Sequence, residues 1–234
     1  MNRHAQAAVL FLLGAALLHA GSTDLYLRYV KAGLRPLLLA AGIVLVAAAL
    51  ATLWYERRRP PETHPHPEPR ISWLLLLPLF ALVLVAPPAL GSYSASRTGT
   101  ALQQPYGYPA LPAGDPLRIA LADYAGRAVY DGGRSLAGRR IAITGFVALD
   151  RSGTPYLVRM ALNCCAADAQ PVKIALSGRI PPVLQPDAWL EVTGRYTPRR
   201  TKDPVNGGPV PYFEVTSARP VPVPHDQYDE TWNG

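Results

Sequence analysis

Cysteine is scarce in this chain, and the two cysteines that occur are adjacent, at Cys164 and Cys165. The sequence therefore contains no Cys-x-x-Cys redox motif, and two thiols alone do not complete a tetrahedral zinc site. His225 is the single histidine after residue 91. No nucleophile elbow and no phosphate-binding loop occurs either. These absences argue against hydrolase or transferase chemistry, and we expect that the chain is not an enzyme.

Charged side chains are missing from three apolar stretches, which are residues 5–20, 36–55 and 71–90. About 20 helical residues cover a hydrocarbon core of roughly 30 Å, so the second and third stretches fit a crossing and the first is shorter. The first also fits a cleaved secretory signal, and both interpretations stay open. Trp54, Tyr55 and Trp73 flank the stretches, as expected at the headgroup layer. The sequence predicts about three transmembrane α-helices in residues 1–90, with the lipid bilayer as a partner.

The net charge of +7 is concentrated near these stretches. Residues from 91 onward carry 15 basic and 12 acidic side chains, which leaves +4 for the first 90 residues. Basic residues beside apolar runs orient membrane proteins. Arg3 and the cluster Arg57 to Arg59 slightly favour a cytoplasmic N-terminus. Three crossings then make this a multi-pass protein of the cell membrane whose C-terminal domain is extracytoplasmic.

The loop at 56–70 contains the stretch ETHPHPEP, in which His64 and His66 lie between Glu62 and Glu68. Imidazoles and carboxylates are competent zinc ligands. Alternating prolines, however, favour an extended polyproline conformation in which side chains two apart do not converge closely. The loop is therefore either a weak candidate metal site or a stiff polar connector.

Residues 91–116 lack a usable period and are predicted to form a linker, and residues 221–234 a proline-rich polar tail. Between them, Asp115 as the N-cap and Pro116 at the first position predict a helix. Its apolar face would contain Leu117, Leu121, Tyr124 and Ala128.

The apolar period then changes to two, which predicts strands at 140–148, 156–162, 172–176, 189–196 and 212–218. Gly145 in AITGF and Gly194 in EVTGR lie inside two of these strands, where glycine marks a bulge or bend. Five short strands with such bends predict a five-stranded OB-like barrel. Residues 117–220 are thus expected to form a mainly-β domain in which one helix is followed by the OB-like barrel.

OB folds often bind single-stranded nucleic acid through basic grooves interleaved with aromatic residues. The candidates here are Arg195, Arg199, Arg200, Lys202, Tyr196 and Tyr212. Acidic residues such as Glu191 and Glu214 interrupt this patch, and an extracytoplasmic domain would seldom meet nucleic acid. We expect no nucleic-acid partner.

The adjacent cysteines allow three interpretations. They are small buried residues at the end of a strand, or they capture a soft or borderline metal ion such as zinc together with Asp168. In the third interpretation the pair is redox-active, for example through a vicinal disulfide, which an extracytoplasmic location permits. Asp168 alone also suits a turn in which its carboxylate accepts backbone amides. No cofactor other than this metal is expected.

The three apolar stretches, together with GFV, NCCAADAQP and WLEVTGRY, resemble the YcgQ-like family of bacterial membrane proteins. The resemblance covers nearly the whole chain, and CCAADAQP is its most distinctive part. It implies an accessory membrane subunit of a two-gene permease system, with a multi-span permease as its partner, and we expect its extracytoplasmic OB-like domain to bind cargo, a metal ion or that partner. The alternative that rests on the residues is a membrane-anchored thiol- or metal-handling protein built on Cys164 and Cys165.

Overall fold

The computed structural model of the protein describes residues 3–58, 70–85 and 87–230. His64 and His66 therefore lie outside the described residues. The chain divides into two compact units. The first contains the apolar helices up to residue 88, and the second contains residues 27–31 together with the chain from residue 89 onward. The short loop 27–31 thus belongs to the C-terminal unit although it precedes the second apolar helix.

The first unit consists of helices α1 (Arg3–Ser22), α2 (Arg35–Arg58) and α3 (Leu76–Leu84), with 3-10 turns at Ala32–Leu34 and Arg70–Leu75. Helices α1 and α2 approach closely at glycine, since a Cβ on Gly14 would lie 2.9 Å from the carbonyl oxygen of Gly42. Arg3 and Glu56 form an ion pair of 3.2 Å, so the start of α1 meets the end of α2. Small residues at the contact are typical of helix pairs in membranes.

Two helices of the described residues, Arg3–Ser22 and Ala32–Arg58, are long and apolar enough to cross a membrane. Large apolar side chains on α2 are exposed, including Leu37 and Val44, which is compatible with membrane anchoring. The third predicted crossing, at 71–90, contains a 3-10 turn and the nine-residue α3. That third crossing stays a prediction.

The second unit is a barrel, and all five predicted strands are present. They are β2 (Ile141–Leu149), β3 (Pro155–Leu162), β4 (Gln170–Gly178), β5 (Trp189–Lys202) and β6 (Pro209–Pro220). Two short strands that alternation did not predict, β1 (Leu117–Arg118) and β7 (Tyr228–Glu230), extend the sheet at its edges. They pair in parallel with β2 and β3 respectively.

The five long strands close into a barrel in the order β2-β5-β6-β4-β3, with β3 returning to β2. The β4–β6 pair is parallel and the other four pairs are antiparallel. This five-stranded Greek-key closure is the arrangement of an OB fold. The predicted bend at Gly194 coincides with a register shift between β5 and β6, where a Cβ would overlap the carbonyl of Glu214. At Gly145, a Cβ would lie 2.8 Å from the carbonyl oxygen of Val158.

Helix α5 (Leu121–Tyr130) covers one opening of the barrel. The ring of Tyr124 meets the ring of Phe213 edge-on at 5.1 Å, and the Tyr124 hydroxyl donates to the Tyr212 carbonyl at 2.6 Å. Three of the four residues predicted for its apolar face, Leu121, Tyr124 and Ala128, lie on this helix and are buried. Burial raises the pKa of the Tyr124 hydroxyl.

The predicted start of this helix at Asp115 and Pro116 is wrong. The amide of Leu117 donates a hydrogen bond to the carbonyl of Arg140, and Leu117 is part of strand β1. Strand pairing therefore overrides the local capping signal. The helix starts after Ala120, and the carboxylate of Asp229 accepts the amide of Ala122 at 3.0 Å. A residue more than 100 positions away in the chain performs the role that local spacing assigned to Asp115.

A second apolar cluster lies on the outer face of β2, β3 and β4. Helix α4 (Ser92–Arg97) packs against this cluster through Ala95, which is fully buried. The carboxylate of Asp187 accepts the amide and the hydroxyl of Ser92 at 2.6 and 2.7 Å. Part of the predicted linker is therefore an ordered helix, and strand β7 lies in the predicted tail.

Candidate metal centre

The two cysteines lie in the connection between β3 and β4. Strand β3 ends at Leu162, a 3-10 turn spans Ala166–Asp168, and β4 begins at Gln170. Cys164 is exposed and Cys165 is half-buried, and both are free thiols. The end of the second predicted strand is the position that the sequence indicated for this pair. Because β3 and β4 are paired up to this connection, the barrel holds both of its ends.

Asp168 organises the connection from its far end. Its carboxylate accepts the backbone amides of Asn163 at 3.0 Å, Cys164 at 2.8 Å and Cys165 at 3.4 Å. In return, the side chain of Cys165 accepts the backbone amide of Asp168. The chain is thus folded around one carboxylate, and the turn interpretation of Asp168 is confirmed by these hydrogen bonds.

The same carboxylate also meets the thiols. Two hydrogen bonds raise the pKa of the Cys164 thiol to about 11. The larger cause is its hydrogen bond to Asp168, and the next is its hydrogen bond with Cys165. Burial of Asp168 disfavours its charged form, but the hydrogen bonds from the Cys164 thiol and the three amides outweigh it, so the pKa of Asp168 is lowered. At neutral pH the metal-free corner therefore contains a protonated Cys164 thiol beside a carboxylate.

The two sulfur atoms and a carboxylate oxygen all lie within 4.8 Å of one another. Ligand atoms around one tetrahedral zinc ion are about 3.5–3.8 Å apart, given bonds of about 2.0–2.3 Å. Side-chain rotations that close the triangle by about 1 Å would therefore bring Cys164, Cys165 and Asp168 to zinc distances. Within the described residues, no other group of three His, Cys, Asp or Glu side chains is this close.

The loop 27–31 pairs with the same corner. Val30 forms a single antiparallel bridge with Cys165. The amide of Ala166 donates to the carbonyl of Tyr29 at 2.7 Å, and the amide of Lys31 donates to the carbonyl of Cys164 at 3.1 Å. The backbone on both sides of Cys165 is thus occupied by this loop. A single bridge leaves no periodic signal in the sequence, which explains why the pattern did not reveal it.

Some residues of the basic patch make contacts within the barrel. Arg199 lies over the ring of Tyr212 at 4.5 Å, Arg200 donates to the carbonyl of Ala128 at 2.9 Å, and the Tyr196 hydroxyl donates to the carbonyl of Gly132 at 3.0 Å. The side chains of the four basic residues, Arg195, Arg199, Arg200 and Lys202, are nevertheless all exposed.

Two comparisons return nothing, since no curated protein and no solved structure matches the chain. A family model does match, over residues 117–229, and its description is the DUF1980 C-terminal domain. The match begins at β1 and ends in β7, so it covers the barrel, helix α5 and the cysteine corner. This match supports the assignment of the chain to the DUF1980 family.

Proposed function

We propose that this protein is a membrane-anchored metal-binding protein, in which the OB-like domain captures a borderline divalent ion such as zinc. The ligands are the thiolates of Cys164 and Cys165 and the carboxylate of Asp168. The observation that carries the proposal is the convergence of these three donor groups within 4.8 Å. Mixed sulfur and oxygen donors of this kind suit zinc and similar ions.

Three protein ligands leave one tetrahedral position open. Structural zinc sites are closed by four protein ligands, whereas sites that exchange or activate a bound group keep a position open. The exposure of Cys164 gives a fourth ligand access from solvent or from another protein. The barrel also has its own apolar core, so the ion is not needed to hold the fold. These features favour reversible capture and release.

The proposed membrane topology follows from the loop 27–31. This loop is part of the barrel's unit, although it precedes α2, one of the two candidate crossings. If α2 crosses the bilayer, the chain must cross again before residue 89 to bring the barrel to the side of the loop. The apolar stretch 71–90 supplies that crossing. Together with the basic residues at Arg3 and Arg57, this supports three crossings and an extracytoplasmic barrel.

The resemblance to the YcgQ-like family, the permease partner, the absence of enzyme activity and the absence of a nucleic-acid partner all stay predictions. An accessory subunit that presents a metal ion is compatible with the proposed site. Purification of the tagged full chain from native membranes tests the partner. A multi-span permease recovered at a stoichiometric ratio would support that role, and recovery of the chain alone would contradict it.

Zinc titration of the full chain tests the metal proposal. The protein in lipid nanodiscs is reduced, stripped of metal and titrated against a chromophoric zinc chelator, with metal content measured by mass spectrometry. We expect one zinc ion per chain in the wild type. The double variant Cys164→Ser/Cys165→Ser should bind zinc at least about a hundredfold more weakly. The free energy of zinc binding at structural sites with four ligands is about 10–16 kcal/mol, so each ligand contributes several kcal/mol.

Asp150→Asn is a matched control. The carboxylate of Asp150 accepts the backbone amides of Ser152 and Thr154 at 2.8 and 2.9 Å, so it also holds a turn, but no thiol is part of that turn. This variant should bind zinc like the wild type, while Asp168→Asn should bind it more weakly. A wild type that takes up no stoichiometric zinc would overturn the metal proposal, as would equal binding by the serine variant. Thiol titration without reductant then distinguishes a vicinal disulfide from two inert thiols.

A further inference from the structure

The cysteine corner and the loop 27–31 share one stretch of backbone. The carbonyl of Cys164 accepts the amide of Lys31, and the amide of Ala166 donates to the carbonyl of Tyr29. Both hydrogen bonds belong to residues that flank Cys165 in the chain. The three side-chain donors of the proposed site come from the same stretch, at Cys164, Cys165 and Asp168. The segment that carries the proposed metal ligands is therefore also the segment whose backbone holds the loop.

The loop is also held at a second point. The Tyr228 hydroxyl donates to the carbonyl of Arg28 at 3.1 Å and accepts the amide of Leu90 at 3.0 Å. Lys31 and Glu230 form an ion pair of 3.4 Å. Strand β7 therefore fixes the loop on one side, so that the pairing with residues 164–166 is the contact that a ligand at the cysteine corner can alter.

We infer that metal binding at Cys164, Cys165 and Asp168 is coupled to the pairing of the loop 27–31 with residues 164–166. This inference rests on the proposed function and adds its regulation. A bound ion restricts the side chains of both cysteines, and it thereby orders the backbone that accepts and donates the hydrogen bonds of the loop. A loop that is already paired reduces the conformational freedom that the ion must remove. Each event therefore favours the other.

The coupling has a direction along the chain. The loop joins α1, which ends at Ser22, to α2, which begins at Arg35. Both helices are candidate crossings. Metal binding at the site thus acts on a loop that is covalently joined to both apolar helices. A membrane partner bound to these helices could respond to it.

Ala166→Pro breaks the pairing without removing a ligand. Proline lacks the amide that donates to Tyr29, and Ala166 is the first residue of the 3-10 turn, a position that tolerates proline. The preceding residue, Cys165, has extended backbone angles of −152° and 170°, which a following proline favours. Ala166→Ser keeps the amide and is the matched control. Circular dichroism of both variants verifies that the barrel folds.

The test combines zinc titration with amide hydrogen exchange of the full chain in nanodiscs. Zinc should slow the exchange of peptides covering residues 27–31 in the wild type and in Ala166→Ser by about fivefold or more. Ala166→Pro should bind zinc about fivefold or more weakly, and its loop should exchange at the same rate with and without zinc. Strand β6 is the internal reference, whose exchange should not change.

The outcomes separate the two proposals. Stoichiometric zinc binding with unchanged exchange at residues 27–31, or with equal affinity in Ala166→Pro, would overturn the coupling and leave the proposed function in place. A wild type that binds no zinc would overturn both. If Ala166→Pro fails to fold, the exchange of the wild-type loop with and without zinc decides alone.

Discussion

Two corners of the barrel are built around an aspartate that accepts several backbone amides, yet they have different neighbours. Asp203, after β5, accepts the amides of Thr100, Val205 and Asn206 and forms an ion pair of 2.7 Å with Lys173. Both of these charged side chains are buried, with exposed fractions of 0 % and 5 %. Asp168, after β3, accepts three amides in the same way, but its further neighbours are two thiols.

The difference shows how one capping geometry can serve structure or ligand binding. The ammonium of Lys173 pairs with the carboxylate of Asp203, and its Nζ also donates to the carbonyl of Thr98, so that corner is closed. The Cys164 thiol beside Asp168 can exchange its proton for a metal ion, and it is exposed. We therefore expect Asp203 to control stability and Asp168 to control binding, and four predictions test that division.

The largest effect on stability is expected from Asp203→Asn. It leaves the ammonium of Lys173 buried without its counter-charge, and removal of one partner of a buried pair costs about 3–5 kcal/mol. Thermal unfolding of the full chain, followed by the β-sheet circular dichroism signal, measures the loss. The double variant with Lys173→Met should recover part of it, because no unpaired charge remains buried. An Asp203→Asn variant as stable as the wild type would contradict the structural role.

The second effect is a zinc-dependent rise in stability. A ligand that binds only the folded state stabilises it by about 2.7 kcal/mol at a hundred times its Kd. The wild type and Asp203→Asn should both gain this, whereas Cys164→Ser/Cys165→Ser should gain at most about 0.4 kcal/mol, because its Kd is at least about a hundredfold higher. Without zinc, that double variant should unfold within about 0.5 kcal/mol of the wild type, because Cys164 is exposed and serine keeps the acceptor that Cys165 offers to the Asp168 amide. Zinc stabilisation of the serine variant equal to that of the wild type would show that the ion binds elsewhere.

A smaller loss is expected from Asp168→Asn in the absence of metal. Asparagine keeps an acceptor for the amides but removes the charge that the amide dipoles and the Cys164 thiol favour. Loss of such a cap costs typically about 1 kcal/mol, which is less than the loss at Asp203. Chemical denaturation of the metal-free protein compares the two variants directly. A loss at Asp168 that equals or exceeds the loss at Asp203 would remove the distinction between the corners.

The smallest effect concerns Asp150 and pH. Hydrogen bonds from Ser152 and Thr154 outweigh the burial that opposes its charged form, and the pKa of Asp150 lies below its ordinary value of 3.8. Its contribution to stability is therefore present above pH 3.8 and is lost as the pH falls through the folded-state pKa. We expect Asp150→Asn to be less stable than the wild type by under about 1 kcal/mol at neutral pH. The difference should vanish in acid, and a difference that grew with acidity would contradict this sign.

The barrel could be predicted from the sequence because its signals are local. Alternation of apolar and polar residues marked all five long strands, and Gly194 marked the bulge between β5 and β6. The helix start was missed because strand pairing at Leu117 and the distant carboxylate of Asp229 replace the local cap. Both are tertiary contacts, which no local spacing encodes.

The residues of the candidate site could be predicted from the sequence, but the loop that pairs with them could not. The adjacency of Cys164 and Cys165, with Asp168 close behind, indicated three potential ligands, and the 3-10 turn brings them together. Their pairing with Val30 and its neighbours depends on one bridge between segments 135 positions apart. Neither segment alone contains a sequence pattern that predicts this contact.

Zinc X-ray absorption spectroscopy of the loaded full chain tests the central claim most directly. The proposed site predicts two sulfur neighbours at about 2.3 Å and oxygen neighbours at about 2.0–2.2 Å around each ion. In Cys164→Ser/Cys165→Ser the sulfur shell should be absent. A first shell of oxygen and nitrogen atoms only in the wild type would contradict the proposal that the cysteine corner is a metal centre.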